Sequence, residues 1–133
     1  MTEAAALAAF VRGTISFNAL RNALVESTDF VFEPNGTVRI TSHRPLPVTV
    51  VRPSDIERAL RRYQGGELTI EEVSIWGLVL GSLDAFDLVL ADEKAQDAVW
   101  DVLAQISVAS INDAFDAMRV AALLEQVEDA MQS

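Results

Sequence analysis

The sequence of 133 residues lacks cysteine altogether and has a single histidine. Without cysteine there is no disulfide framework, no thiolate metal site and no cysteine nucleophile, which fits a reducing compartment. Long hydrophobic runs are missing as well, because the longest, from Val73 to Leu83, ends at Asp84 and is much shorter than the roughly 20 residues of a membrane helix. The segment from Met1 to Phe10 has no basic residue before its alanines, so no secretory signal is predicted. We therefore expect a cytoplasmic protein that does not enter a membrane.

Motifs of nucleophilic and phosphate chemistry are absent too. The histidine, His43, lies beside Arg44 in a proline-containing connection, which is typical of a solvated loop residue. No G-x-S-x-G elbow is present to support a nucleophilic triad. Gly65 and Gly66 follow a predicted helix and precede Glu67, whereas a phosphate-binding loop would follow a strand and supply a lysine. These two glycines are predicted to end a helix, and the protein is predicted not to be an enzyme.

A metal site would have to be built from carboxylates. Asp84, Asp87, Asp92 and Glu93 are the carboxylates to consider, but their spacing lacks the alternating ligands and central glycine of a calcium loop. A di-iron bundle needs E-x-x-H pairs, which one histidine cannot supply. We predict neither a metal nor a cofactor.

The balance of residue types favours a folded chain, since 50% of the residues are hydrophobic and 23% are charged. The expected class is α+β and mostly α: a helical bundle with a small antiparallel β-hairpin or three-stranded sheet inserted after the second helix. We expect a single domain over residues 1–133, with a helix pair and hairpin in 1–53 and an acidic helical bundle in 54–133.

The N-terminal part is predicted to be two helices followed by strands. A helix from Glu3 to Val11 should stop near Gly13, and a second should start after Ser16 as its N-cap. Residues 29–41 alternate apolar and polar side chains around a Pro-Asn-Gly turn, which is typical of a β-hairpin. Residues 47–51 are rich in β-branched side chains and predict a short third strand.

Two capping boxes are predicted to start the next helices. Ser54 and Glu57 have the spacing of one box, and their helix should run to the two glycines named above. Thr69 and Glu72 form a second box, whose helix should run to about Ser82.

Apolar periodicity predicts two more helices, one from Asp92 and one from about Asn112. Both tryptophans fall at apolar positions and are predicted to be core anchors. The positions predicted to be buried are Ala95, Val99, Val102 and Ile106 in the first of these helices, Phe115, Met118, Ala122, Leu123 and Val127 in the second, and the tryptophans Trp76 and Trp100.

One local pattern occurs twice. Leu7-x-x-Phe10-x-x-Gly13-x-Ile15-Ser16 aligns without gaps, at an offset of 53 residues, with Leu60-x-x-Tyr63-x-x-Gly66-x-Leu68-Thr69. Each copy predicts a helix, a glycine stop, an apolar loop residue and a hydroxyl N-cap. We interpret the pattern as turn chemistry shared by two helix corners, with duplication as the alternative.

Charge is distributed unevenly along the chain. Residues 1–62 hold eight basic and six acidic residues, whereas residues 63–133 hold two basic and fourteen acidic residues. A negative field of this kind repels nucleic acids and acidic membranes and speeds encounter with a basic partner. Solubility is the alternative explanation.

A basic stripe lies on the third predicted helix, where Arg58, Arg61 and Arg62 are spaced i, i+3 and i+4. Such a stripe could contact phosphates, but the net charge of −10 disfavours binding to nucleic acid. We expect these arginines to pair with Glu57, Glu67 or the acidic C-terminal half of the same molecule.

An acidic stripe lies on the fifth predicted helix, where Glu93, Asp97 and Asp101 are spaced i, i+4 and i+8. Like charges at this spacing destabilise a helix, so the stripe is the strongest indication of a binding role. We predict that these three residues, with Asp113 and Asp116, contact a partner.

The segment from Leu60 to Trp76 carries a family resemblance. A short helix that ends in glycine, followed by Leu68-Thr69 and a helix with Trp76, resembles the helical core of small bacterial immunity proteins of the colicin D type. The resemblance implies a protein that binds a basic nuclease toxin and blocks its active site, with acidic residues in the place of nucleic-acid phosphates. Residues 1–53 are not part of this pattern.

These observations lead to one preferred function and two alternatives. The preferred function is a non-enzymatic acidic protein-binding module, immunity-like or inhibitory, that acts by electrostatic steering and occlusion of a basic partner such as a toxin. The first alternative is a structural or regulatory protein that self-associates, for example as a homodimer. The second is a carboxylate hydrolase, which would need two carboxylates roughly 5 to 10 Å apart in a pocket.

Overall fold

The computed structural model describes residues 2–34, 38–83, 85–88, 93–111 and 115–131, without the side chains of Glu93 and Ile111. The fold is α+β and mostly α, as predicted. Its elements are α1 (Glu3–Arg12), α2 (Phe17–Ala23), β1 (Thr28–Phe32), β2 (Val38–Ser42), β3 (Thr49–Val51), α3 (Pro53–Gln64), α4 (Ile70–Ser82), β4 (Phe86–Leu88), α5 (Glu93–Ser107), a 3₁₀ turn (Ala109–Ile111) and α6 (Ala117–Met131).

Capping residues set most of the predicted helix ends. The hydroxyl of Ser16 accepts from the third backbone N–H of α2, and Gly13, which ends α1, has a φ of +78° that favours glycine. At the α3–α4 corner, Gly66 has a φ of +81°, and Thr69 and Glu72 form the predicted capping box. The two copies of the repeated pattern therefore fold into two helix corners of the same kind.

The predicted capping box of Ser54 and Glu57 is wrong. The helix α3 begins at Pro53, whose fixed φ suits the first helical position. The carboxylate of Asp55, three residues after the N-cap residue Arg52, accepts from the backbone N–H of Arg52 at 2.9 Å.

Strand pairing confirms the hairpin and corrects the third strand. β1 and β2 pair antiparallel, with Thr28 opposite Ser42 and Phe32 opposite Val38. β3 does not extend this hairpin into a three-stranded sheet, because it pairs in parallel with β4, with Thr49 opposite Phe86. The crossover between β3 and β4 contains α3 and α4, as a parallel connection requires.

Helix α4 lies at the centre of the packing. Trp76 on α4 is buried, as predicted, and its indole N–H donates to the backbone carbonyl of Phe10 at 3.1 Å. Gly77 allows α4 to approach α5 closely, since a Cβ there would lie 2.7 Å from Cγ2 of Ile106. The helix α6 packs against both α3 and α5, so buried residues of both chain halves form one cluster.

The last helix begins later than predicted, and its predicted buried face is confirmed at Leu123 and Val127 but not at Met118 and Ala122. α6 starts at Ala117, since Asp116 accepts from the backbone N–H of Arg119 as an N-cap. Phe115 is buried before the helix, in the position from which a hydrophobic staple contacts the fourth helical residue. Met118, predicted to be buried, is 82% exposed, and Ala122 is exposed as well. The buried residues of α6 are Val120, Leu123, Leu124, Val127 and Ala130.

The prediction that Trp100 is a buried core residue is wrong. This tryptophan lies at the surface of α5 with 36% of its area exposed, whereas the predicted positions Ala95, Val99, Val102 and Ile106 are buried. Trp100 lines a surface groove between α4 and α5. Within the described residues, no helix has both the length and the apolar character needed to cross a membrane.

Candidate functional site: an acidic face on helices α5 and α6

The described part of the predicted acidic stripe, Asp97 and Asp101, lies on the exposed side of α5, and Asp101 contacts Gln126 of α6. Because α5 buries its apolar positions against α4 and α6, Asp97 and Asp101 are left exposed one helical turn apart. Asp129 of α6 is also exposed. It lies three positions after Gln126, which contacts α5, and residues at this spacing are neighbours on one side of a helix. We call Asp97, Asp101 and Asp129 the acidic face.

Neutral donors hold Asp101 at the seam between the two helices. Its Oδ2 accepts from Nε2 of Gln105 at 3.0 Å and from Nε2 of Gln126 at 3.3 Å. The same Gln126 nitrogen donates to the carbonyl of Ala98 at 2.7 Å, which fixes α6 against α5. Amide donors orient a carboxylate but leave its negative charge uncompensated, so Asp101 can still attract a cation.

Asp97 has no ion pair or hydrogen bond to another described residue. Asp116 is exposed but also has a structural role, because its Oδ1 caps α6 at 2.9 Å. Ten residues separate it from Gln126, which is roughly 15 Å along a helix, so Asp116 does not belong to the acidic face. Of the other two predicted contact residues, Asp113 and the side chain of Glu93 lie outside the described residues.

Sequence reasoning missed Asp129 as a member of this face. Its position beside α5 depends on the contact that Gln126 makes across the helix pair. No spacing within α6 alone could have indicated that contact.

The arginine stripe of α3 pairs within the molecule, which confirms the prediction. Each of its three arginines reaches a carboxylate, and two of them link α3 to other elements. The pairs are Arg58 with Asp55 at 3.0 Å, Arg61 with Glu57 at 3.9 Å and Glu128 at 2.7 Å, and Arg62 with Glu67 at 3.1 Å and with the carbonyl of Gly13 at 3.1 Å.

His43 is exposed, as predicted for a loop residue, and the structure gives it a partner that the sequence could not place. Its Nε2 lies 2.8 Å from Oδ2 of Asp29, across the open end of the hairpin. Both side chains are more than half exposed, so the pair is an ordinary surface contact.

The described residues contain no metal site built from the carboxylates that were considered as ligands. Asp84 and Asp92 lie outside the described residues, as does the side chain of Glu93. Over the described ranges, no three histidine or acidic side chains converge in a way that could hold a metal ion.

The chemistry available at Asp97 and Asp101 is that of exposed carboxylates. They can accept hydrogen bonds from lysine or arginine side chains, and the bidentate geometry of arginine suits a carboxylate particularly well. Comparisons of the chain with protein-family models, with curated proteins and with solved structures give no match.

Proposed function

We propose that the protein is a non-enzymatic acidic protein-binding module, of the immunity or inhibitor type, that acts in the cytoplasm on a basic partner. The observation that supports this proposal is the acidic face, in which Asp97 is unpaired among the described residues and Asp101 is held by neutral amides. These carboxylates would steer the partner by long-range attraction and then accept hydrogen bonds from its cationic side chains.

The class of partner follows from the resemblance of residues 60–76 to immunity proteins of the colicin D type. A nuclease binds the phosphates of its substrate through basic side chains, and the same side chains would fit exposed carboxylates. The proposed partner is therefore a basic nuclease toxin of a bacterium, and the proposed action is to cover its substrate-binding surface.

The experiment compares two double charge reversals that change net charge equally. The test variant is Asp97→Lys with Asp101→Lys, and the control is Glu26→Lys with Glu71→Lys, at exposed acidic residues outside α5 and α6. Each protein is used to retain partners from host lysate at low and moderate salt, and the affinity of a retained protein is then measured after its purification. We expect wild type and control to retain the same basic protein, more weakly as salt rises, and the test variant to bind it at least about tenfold more weakly.

Two results would contradict the proposal. If the test variant binds the retained protein as tightly as wild type does, the acidic face makes no contact with it. If both double reversals weaken binding equally, net charge alone is responsible and the face has no specific role.

Self-association is a second candidate, supported by the surface around Trp100. A groove of about 250 Å³ lies between α4 and α5 beside Trp100, and Val108, the residue after α5, is 38% exposed. Sedimentation of wild type and Trp100→Glu over a wide concentration range tests it. A concentration-dependent dimer that the substitution abolishes would support self-association, and a monomer at every concentration would exclude it.

A further inference from the structure

A cavity of about 300 Å³ lies between the two helix corners, apart from the acidic face. The α1–α2 corner contributes Gly13 and Ile15 to its wall, and the α3–α4 corner contributes Leu68 at the position equivalent to Ile15. Arg62 joins the corners, since one of its terminal nitrogens donates to the carbonyl of Gly13. The repeated sequence pattern thus produces two corners that face a common space.

Aromatic rings form much of the cavity wall. Trp76 uses its only polar group on the carbonyl of Phe10, so both residues present apolar surface to the cavity. Phe17 packs edge-on against Phe30 and Phe32, with ring centroids 5.3 and 5.9 Å apart. Phe32 also lines the cavity and is 51% exposed, which leaves a large apolar ring at its rim. A ligand with an aromatic or aliphatic body would cover this exposed surface.

Arginines concentrate at this cavity in a protein whose net charge is −10. Arg12, Arg58 and Arg62 all line it. The carboxylates that line it are already satisfied within the chain, since Asp55 accepts from Arg58 and from the backbone N–H of Arg52, and Glu72 caps α4. Arg12 is exposed and makes no ion pair with a described residue, so its positive charge is available to a ligand.

We propose that this cavity binds a small organic carboxylate with an apolar body. The hydrocarbon part lies against the rings of Phe10, Phe32 and Trp76, and the carboxylate accepts hydrogen bonds from the guanidinium group of Arg12. The cavity is at the lower end of the roughly 300 to 1,000 Å³ range of ligand pockets, which restricts the body to one or two rings or a short alkyl chain. The site does not involve the acidic face, so either proposal can be wrong without affecting the other.

The experiment uses Trp76 as a reporter in the Trp100→Phe background, which leaves one tryptophan in the chain. Three probes of similar size are titrated: phenylacetate, its neutral amide phenylacetamide, and the cation phenethylamine. We expect phenylacetate to change the Trp76 fluorescence saturably and to bind about tenfold more tightly than the amide, because a charge-assisted hydrogen bond is lost with the charge. The overall negative field of the protein favours the cation, so a preference for the anion must come from the local arginine.

Substitutions separate the two parts of the site. Arg12→Gln should weaken phenylacetate about tenfold and leave the amide unchanged, whereas Arg119→Gln, at an exposed arginine on α6, should change neither. Phe32→Ala should weaken the acid and the amide alike, because it removes only apolar contact. The proposal is overturned if no probe changes the fluorescence of Trp76, if phenethylamine binds as well as phenylacetate, or if Arg12→Gln and Arg119→Gln behave alike.

Discussion

Helices α3 and α5 are both amphipathic surface helices, of 12 and 15 residues, but their charged side chains make different kinds of contact. On α3, Arg61 reaches Glu128 of α6 and Arg62 reaches the carbonyl of Gly13, so its charges connect separate elements. On α5, the described carboxylates of Asp97 and Asp101 face solvent and meet no cation among the described residues.

The packing of the two helices explains why they can differ. α5 is held against α4 by close apolar contact at Gly77, and against α6 by hydrogen bonds from Gln126. The carboxylate of Asp97 is therefore not needed to fix the position of α5, and that of Asp101 adds only a 3.3 Å contact to the 2.7 Å bond between Gln126 and the carbonyl of Ala98. A charged group that does not stabilise the fold can be retained for binding, and this is the reason to place the partner on α5 rather than on α3.

The largest effect is expected where α4 and α5 approach most closely. Gly77→Ala places a Cβ 2.7 Å from the side chain of Ile106 and 3.0 Å from the backbone nitrogen of Ser107. The overlap should cost more than the gain in helix propensity, for a net loss of about 1 to 2 kcal/mol in the free energy of unfolding. Urea denaturation followed by circular dichroism measures it.

Gly81→Ala is the matched control on the same helix. A Cβ at Gly81 meets nothing within 4 Å, so this variant should be more stable than wild type by about 0.5 to 1 kcal/mol. Equal effects of the two substitutions would show that close packing at Gly77 does not hold α5.

The next effect tests the linking role of the α3 arginines. Arg62→Gln removes a partly buried bond to the carbonyl of Gly13, and we expect a loss of about 1 to 2 kcal/mol in unfolding free energy. Arg61→Gln removes an exposed ion pair and should cost less than about 1 kcal/mol. Urea denaturation of both variants in parallel compares the two losses. A larger loss for Arg61→Gln would contradict the expectation that the Arg62 contact stabilises the fold more.

Local chemistry made much of this fold predictable. Gly13, Ser16 and Thr69 determine helix ends within one turn of themselves, and the alternation of residues 29–41 identifies the hairpin. The pairing of β3 with β4 was not predictable, because each strand has only three residues and the partners are distant in sequence. The exposure of Trp100 also depends on tertiary packing.

The candidate sites, like the fold, have features that were predictable from local sequence and features that were not. The sequence predicted the pairing of Arg61 and Arg62 with carboxylates of the same molecule and the shared face of Asp97 and Asp101. The contact of Gln126 with Asp101 and the cavity between the two corners join segments far apart in the chain. The repeated pattern was recognised as two corners, but nothing in it indicated that they face each other.

A smaller change in the free energy of unfolding is expected for a substitution on α5. In Asp97→Lys, the repulsion with Asp101 becomes an attraction, so we expect a gain of about 0.2 to 0.5 kcal/mol in unfolding free energy at low salt. The gain should shrink as salt rises, because both side chains are exposed. Urea denaturation at two salt concentrations measures it, and a loss of stability instead would mean that Asp97 supports the fold.

The smallest effect is a pH dependence at Glu3, a carboxylate that, unlike Asp97, has partners. The hydroxyl of Ser27, and then the guanidinium group of Arg44, lower the pKa of Glu3 below its ordinary value of 4.5. A carboxylate with a lowered folded pKa stabilises the protein above its unfolded pKa, and this contribution is lost as pH falls through the folded pKa. The melting temperature of Glu3→Gln should therefore lie below that of wild type at neutral pH, and the two should converge as the pH falls through the lowered folded pKa of Glu3. A difference that stays constant with pH would assign the effect of Glu3 to hydrogen bonding or helix capping rather than to its charge, and would weaken the contrast with the solvent-facing carboxylates of α5.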